Sequence, residues 1–347
     1  MPGSTQIYIN GKFLAQKATG VQKYAIGIAL ALQKSHPDVI ILTPRGKHET
    51  CGLKIKKIGL LGGTLWEQIC LPLFLIFKKH SLLLNFCNSA PLLIKSQVIT
   101  LHDLAFRKNK YWFGRAFRLW YNFLIPKICR NSQKIITVSE LIKKEICTAY
   151  SITSEKIIIV PNGIPEMHFD EVKPFAFNYL FLTGIYNPRK NATFLLSLLS
   201  EIKNRNLHVV GVGENADIYK NIAIPEDDHL HLLKYVSNKQ YYTFLKHATA
   251  LVFPSEYEGF GIPVLEALSL GTPVIVPDVS LYQESFGEMP IYYLPGYEQS
   301  FLQALDQINY QSPSKNELTI LKNKFNFDNS ATILSDTLKQ LLQKNIN

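Results

Sequence analysis

Strand-length apolar runs alternate with helix-length segments along the whole chain. In the front half, QIYIN (6–10), VIILT (39–43), LLLNF (82–86), VITLH (98–102), KIITV (134–138) and KIIIVP (156–161) predict strands, and residues 20–34, 64–79, 112–130 and 139–150 predict helices. A polar, proline-rich stretch, PNGIPEMHFDEVKP (161–174), breaks the rhythm. It resumes in NYLFLTG (178–184), LHVVG (207–211), HLHLLKYV (229–236), ALVFP (250–254) and PVIVP (273–277), with helices between them. Strands and helices that alternate in this way build parallel sheets from βαβ units. A chain of 347 residues also exceeds what one ordinary core sustains. The pattern therefore predicts an α/β protein of two Rossmann-type domains, residues 1–170 and 171–328. The terminal amphipathic segment NSATILSDTLKQLLQKN (329–345) has apolar residues at helical spacing, and residues 329–347 are expected to pack back across the hinge. No internal repeat or low-complexity segment disturbs this order.

Composition narrows the class. An apolar content of 47% with 18% charged residues belongs to folded globular chains. The five cysteines, Cys51, Cys70, Cys87, Cys129 and Cys147, are odd in number and contain no C-x-x-C pair, which points to reduced cytosolic thiols and away from a zinc site. The opening MPGSTQIYIN lacks the charged start and apolar core of a secretory signal, so export is not implied. Residues 1–170 carry 23 Lys+Arg against 9 Asp+Glu, a net +14, and residues 171–347 carry 14 against 18, a net −4. Basic and aromatic side chains interleave in AFRKNKYWFGRAFRLWYNFLIPKICR (105–130), where Trp112, Phe113, Phe117, Trp120, Tyr121 and Phe123 alternate with Lys108, Lys110, Arg115, Arg118 and Lys127. That composition fits a helix resting on an anionic membrane surface. Nucleic-acid binding gives a similar pattern, and a core-packing aromatic helix with a solvated basic edge is the plainer alternative. The run ICLPLFLIF (69–77) is far too short to span a bilayer before Lys78 and Lys79. The expectation is a cytoplasmic protein, peripheral at the inner face of the membrane, with no nucleic-acid partner.

The densest chemistry lies in PSEYEGFGIPVLEALSLGTPVIVP (254–277). A strand ends at Pro254, a glycine-bearing loop follows, and Pro263 sits where the first turn of a helix tolerates a missing N–H. Amides at such a helix start attract anions, and open α/β sheets bind ligands beyond the carboxyl ends of their strands. Glu258 stands at the loop mouth and Glu266 eight positions on, inside the helix. A carboxylate accepts hydrogen bonds from vicinal hydroxyls, so one glutamate suits a hexose and the other a ribose. The pairing suggests a sugar-nucleotide site, with cations required nearby to hold the diphosphate; a solvated Glu258 and a helix-face Glu266 without a role are the bland alternative.

These residues carry a resemblance. PSEYEGFGIPVLEALSLGTPVI (254–275) resembles the donor-site signature of glycosyltransferase family 4, the retaining enzymes of GT-B fold, and TLHDLAF (100–106), ITVSELIKKEI (136–146), VPNGI (160–164) and TGIYNPRKN (183–191) agree in the expected order. The opening INGKFLAQKATGVQKYA (9–25) is similar to a subgroup of bacterial polysaccharide-assembly enzymes. The resemblance implies an acceptor-binding front domain facing, across a cleft, a rear domain that binds a UDP- or GDP-sugar. It implies that Glu258 binds hydroxyls of the donor sugar, with the backbone around Gly259, Phe260 and Gly261 on the sugar or diphosphate. Glu266 would then accept from the ribose, and Lys190, with Arg189 beside it, would neutralise the leaving diphosphate. Related enzymes often carry an arginine directly after the glycine matching Gly184. Here Ile185 stands there, which leaves that charge to Arg189 or the diphosphate to another arrangement. His102 and Asp103, at the end of a front strand, match the family's histidine that orients the donor sugar; a lone histidine is otherwise usually structural. Gly20 either lets front-domain amides approach the diphosphate or simply starts a helix. The implied chemistry is metal-independent front-face substitution, in which the leaving phosphate oxygen helps take the acceptor's proton. The acceptor is a glycan, expected on a polyprenyl diphosphate lipid.

Two rivals define what would overturn this. GVGENA (211–216) follows a strand and satisfies G-x-G-x-x-A, as in nicotinamide dehydrogenases, but the next strand ends in Val236-Ser237 without the acid that a ribose needs. A catalytically degenerate sugar-binding or scaffold protein rests on Ile185 alone. Asp227-Asp228, in PEDDH, reads as a polar turn rather than a metal site.

Overall fold

Aliphatic runs that were read as strands pair side by side, because a strand covered by helices on both faces must be apolar on both. The computed structural model describes residues 5–17, 19–46, 49–78, 80–213, 224–308 and 313–344. The chain divides into two compact units, Met1–Gly163 with Phe325–Asn347, and Ile164–Lys324. The division falls inside the proline-rich stretch 161–174.

The front unit holds a seven-stranded sheet. Its strands are β1 (Gln6–Asn10), β2 (Ile40–Thr43), β3 (Ile55–Lys57), β4 (Ser81–Asn85), β5 (Gln97–Thr100), β6 (Lys134–Thr137) and β7 (Ile157–Ile159). Every pairing is parallel, in the order β3-β2-β1-β4-β5-β6-β7, and Ile9 sits in register between Ile41 and Leu84. The order reverses between β1 and β4, so the loops after those strands diverge and leave a crevice at their carboxyl ends. Helices α1 (Gly20–Ser35), α2 (Gly63–Leu65), α3 (Leu71–Ile76), α4 (Ala105–Lys108), α5 (Arg115–Asn131) and α6 (Glu140–Tyr150) connect the strands.

The rear unit repeats the plan with six strands in the order β10-β9-β8-β11-β12-β13, again all parallel. They are β8 (Tyr179–Thr183), β9 (His208–Val212), β10 (Leu230–Leu233), β11 (Ala250–Val252), β12 (Val274–Pro277) and β13 (Ile291–Tyr293). Between them run α7 (Ala192–Leu196), α8 (Leu199–Lys203), α9 (Asn238–His247), α10 (Ile262–Ser269), α11 (Ser280–Phe286), α12 (Glu298–Asp306) and α13 (Lys315–Lys324). Here the order reverses between β8 and β11. The last helix, α14 (Phe327–Lys344), belongs to the front unit and lies along α1. The Phe327 ring fills space that only glycine leaves: a Cβ on Gly27 would stand 2.3 Å from it and one on Gly163 2.4 Å.

Four elements depart from the sequence pattern. The helix expected over 64–79 is split, with a π-helical stretch (Trp66–Cys70) between α2 and α3. Pro72 offers no N–H to the carbonyl four residues back, and the wider turn absorbs the mismatch. The helix expected over 112–130 begins after Gly114 and is preceded by the separate α4. Strands β3 and β13 escape a search for apolar runs because one is a lysine-bearing edge and the other only three residues long. No helix among the described residues is long and apolar enough to cross a membrane.

Candidate active site

The two loops at the rear sheet's reversal point bring the predicted charged residues together. After β8 the chain passes through Gly184, at φ +70°, into a short 3-10 turn, Pro188–Lys190. Asn187 caps the turn by accepting from the Arg189 amide at 3.1 Å. After β11 the chain runs through Ser255 and Glu258 to Gly261, whose φ of +96° opens α10, with Pro263 in its first turn. Lys190 Nζ donates to Glu258 Oε1 at 2.7 Å, and an Arg189 guanidinium nitrogen lies 3.5 Å from Oε2. Ser255 Oγ donates to Oε1 at 2.7 Å, and its own carbonyl accepts from the Tyr282 hydroxyl at 2.7 Å. Lys190 Nζ also stands 4.4 Å above the Phe253 ring.

Glu258 is buried, its side chain 9% exposed, and its two cations nearly so. Burial alone pushes its pKa up; Arg189, Lys190 and the hydrogen bonds from Lys190 and Ser255 outweigh it and hold the carboxyl below its ordinary value. Two largely buried cations thus converge on one carboxylate just ahead of the start of α10. Phe260 is buried against Phe286, ring centroids 5.6 Å apart, which fixes the Gly259–Gly261 backbone at the helix start.

Ile185 has a plain structural reason. It is fully buried in the rear core, and Gly211 and Gly213 make room for it, since a Cβ on either would come within 2.7 and 2.8 Å of its side chain. The Gly-Val-Gly of the dinucleotide-like motif thus serves packing; its remaining residues, Glu214 to Ala216, lie outside the described residues. Position 185 is filled by a packed apolar side chain, and the guanidinium that reaches Glu258 is that of Arg189.

Glu266 is held by a different set of partners. It is 1% exposed, and its carboxylate oxygens accept from the hydroxyls of Tyr241 and Tyr242, each at 3.0 Å. Burial, with the Glu266 charge adding to it, raises both phenols well above their ordinary range. Neither tyrosine figured in the sequence reading.

In the front unit His102 lies just beyond β5, buried at 6% exposure. Its Nε2 donates to the Phe86 carbonyl at 2.8 Å, and its amide donates to Asn88 Oδ1 at 2.7 Å. A carbonyl only accepts, so Nε2 carries the proton and Nδ1 is the acceptor. Burial lowers the ring's pKa and keeps it neutral. Its ring meets Tyr24, one turn into α1, at 4.8 Å, and Gly20 opens that helix behind the cap Thr19, whose amide donates to Gln22 at 3.1 Å. Asp103 Oδ1 accepts from the Ala105 amide at 3.0 Å, which ties it to the start of α4.

A buried polar cluster at the front reversal point was not anticipated. Lys12 Nζ donates to Glu67 Oε2 and to Ser89 Oγ, both at 2.7 Å. Asn10 Nδ2 donates to Glu67 Oε1 at 2.8 Å and to Asn85 Oδ1 at 2.9 Å. The signal was present: Glu67 is the one charge in an apolar helix, and Asn10 and Asn85 close apolar strands, so each had to find a partner on burial. Among the described residues, no group of three or more His, Cys, Asp or Glu side chains is placed to hold a metal ion.

Comparison with known proteins gives a consistent relationship. Residues 164–310 match the family described as Glycosyl transferases group 1, and residues 18–167 match Glycosyltransferase Family 4. The chain is 27% identical over 361 residues to the O-antigen chain mannosyltransferase RfbU of Salmonella typhimurium, covering 96% of this chain and 99% of that one. It is 25% identical over 186 residues to the MMP alpha-(1->4)-mannosyltransferase of Mycolicibacterium hassiacum, 51% of this chain and 45% of the relative. Among solved structures, sucrose-phosphate synthase from Thermosynechococcus elongatus superposes with a TM-score of 0.74 at 16% identity, covering 99% of this chain and all of that one. Anabaena Alr3699/HepE in complex with UDP and glucose superposes at 0.73 with 14% identity, covering 96% and 99%. These likenesses show the two-domain α/β fold of GT-B glycosyltransferases.

Proposed function

The chain belongs to glycosyltransferase family 4, and on that footing we propose that it moves a hexosyl group from a UDP- or GDP-sugar to a growing glycan with retention at the anomeric carbon. The observation that carries this reading is the buried Glu258 held by Arg189 and Lys190 at the start of α10. When the donor arrives, its diphosphate takes over the two cations and the α10 amides. Glu258, released from part of its ion pairing, accepts hydrogen bonds from the sugar hydroxyls. As the sugar–phosphate bond breaks, charge grows on the diphosphate, and Arg189 and Lys190 stabilise it without a metal ion. The departing phosphate oxygen helps take the acceptor's proton. Glu266 serves the ribose, exchanging a tyrosine hydroxyl for a ribose one, and the His102 Nδ1 accepts from a sugar hydroxyl. In this reading Asp103 supports His102 by holding the β5–α4 turn, and Gly20 leaves the first amides of α1 open to the diphosphate.

The named relatives, an O-antigen chain mannosyltransferase among them, support a role in cell-surface polysaccharide assembly and make GDP-mannose the first donor to try. The acceptor is a polyprenyl-diphosphate-linked glycan, reached at the inner face of the cytoplasmic membrane. The test is release of nucleoside diphosphate across a panel of nucleotide sugars supplied with lipid-linked acceptor. One donor should turn over, and Glu258→Ala and Lys190→Ala should abolish the release. A pure protein that binds UDP or GDP but turns over none of the panel would point to a sugar-nucleotide-binding scaffold instead.

A further inference from the structure

The helical run from α2 to α3 is apolar on two sides, and its one charge, Glu67, is buried on Lys12. One side, Trp66, Leu71 and Leu75, packs into the front core with Tyr8, Leu42 and Leu83. The other side presents Leu65, Ile69, Leu73 and Ile76 at 60%, 44%, 59% and 73% exposure, a single stripe at helical spacing. Phe77 continues it at 82%, and Leu93, across a gap, adds another 77% exposed side chain. A second apolar stripe on a helix belongs either in a core or in lipid, and this one has a core on one side only.

Between the stripe and the amino-terminal edge of the sheet lies a cavity of about 810 Å³. Ile69, Leu73, Ile76 and Leu93 form its apolar wall; among the described residues, Lys78, His80 and Lys95 are the ionisable groups of its lining, with no Asp or Glu. Lys78 also stands 5.6 Å from the centroid of the Phe74 ring. Across residues 53–97 the sequence holds six lysines and one acid, Glu67, and that acid is buried on Lys12. Thr5, Ser81, Ser96 and Gln133, which also line the cavity, mark the starts of β1, β4, β5 and β6. The cavity therefore sits at the opposite edge of the sheet from the carboxyl ends where His102 lies.

We propose that this face docks on an anionic phospholipid bilayer, with Leu65, Ile69, Leu73, Ile76 and Phe77 entering the acyl boundary and Lys78 and Lys95 pairing with headgroup phosphates. The cavity beside the stripe takes an acyl chain. This rests on the membrane association proposed above and assigns it a surface distinct from the 105–130 segment. In that segment much of the aromatic area is already spent on internal stacks, Phe113 on Phe117 at 5.1 Å and Phe117 on Tyr121 at 4.0 Å.

The experiment is co-sedimentation of the full chain with phosphatidylcholine vesicles, with and without phosphatidylglycerol, beside a melting-temperature shift by UDP and GDP. The wild type should sediment with the anionic vesicles and be released by high salt. Leu73→Glu with Ile76→Glu should weaken that binding about tenfold or more while the nucleotide shift persists. Lys78→Glu with Lys95→Glu changes only exposed charges, should weaken it as well, and decides the matter if the first variant fails to fold. Equal sedimentation of both variants and wild type, equal wild-type binding to neutral vesicles, or loss of binding only with Phe123→Glu and Lys127→Glu on α5 would each overturn the proposal. Nucleotide binding is read separately, so a chain that binds no UDP or GDP yet still sediments through this face would fail the donor reading and leave this one standing.

Discussion

Glu258 has one charge and two cationic partners, so its removal and its neutralisation have separable effects. Glu258→Gln should leave Arg189 and Lys190 with a neutral partner, and a nucleoside diphosphate should then bind at least as tightly as to the wild type. Transfer should nonetheless fall by about a hundredfold, since the sugar loses the charged acceptor and the site its orientation. Calorimetry with UDP or GDP beside product release separates the two; weaker nucleotide binding in the variant would mean that the carboxylate, not the cations, organises the diphosphate. The same residue has a pH signature. Its folded pKa lies below the ordinary 4.5, so its contribution to stability is complete above 4.5 and is lost as pH falls through the depressed folded value. Gly261 tests the loop beneath. At φ +96° a Cβ would stand 3.0 Å from Tyr282, and Gly261→Ala should cost about 1–2 kcal/mol, read as a lower melting temperature.

Elements were legible where burial dictates composition. The strand QIYIN was read with its observed bounds, and most other strands to within a residue or two at each end, because a doubly covered parallel strand has no polar face to blur it. What the pattern did not contain was contact between distant elements. Glu266 was visible as an acid inside a helix, but Tyr241 and Tyr242, 25 and 24 positions away on α9, became its partners only through the fold. The link from Lys12 to Ser89 spans 77 positions. The rear site was readable because its residues fall in contiguous motifs on the loops after β8 and β11; the front cluster is scattered over four segments. Helix α14 supplies the element-scale test. Its docking depends on Gly27 and Gly163 accommodating Phe327, with Ser330 Oγ donating to the Pro161 carbonyl at 2.9 Å. Gly27→Leu should expel the ring, lower the melting temperature, and raise amide exchange in residues 327–344 and 20–35 together. Exchange confined to residue 27 and its neighbours would show that α14 is held by something else.

Protonation couples the two units to pH in the same direction. In the front unit burial lowers the His102 pKa. In the rear unit burial lowers those of His208 and His231, and neighbouring imidazoles lower them further, with Lys203 adding to and Asp227 opposing the shift at His208. His208 Nδ1 and His231 Nε2 share one hydrogen bond at 3.0 Å, while His208 lies flat on His229 at 4.0 Å. Such a stack accommodates one added proton at the expense of the next. Each folded pKa lies below the ordinary 6.5, so between the two values the unfolded chain binds more protons. Stability from these groups is therefore complete above 6.5 and declines as pH falls toward the folded values. The melting temperature should drop on acidification from about pH 7.5 to about pH 5, well before the carboxylates titrate. His208→Phe keeps the flat contact with Phe177, at 4.0 Å, and removes one titrating ring, so its melting temperature should fall less steeply across that window. A slope identical to the wild type would place the acid sensitivity outside the rear stack, and His102→Asn would then have to flatten it.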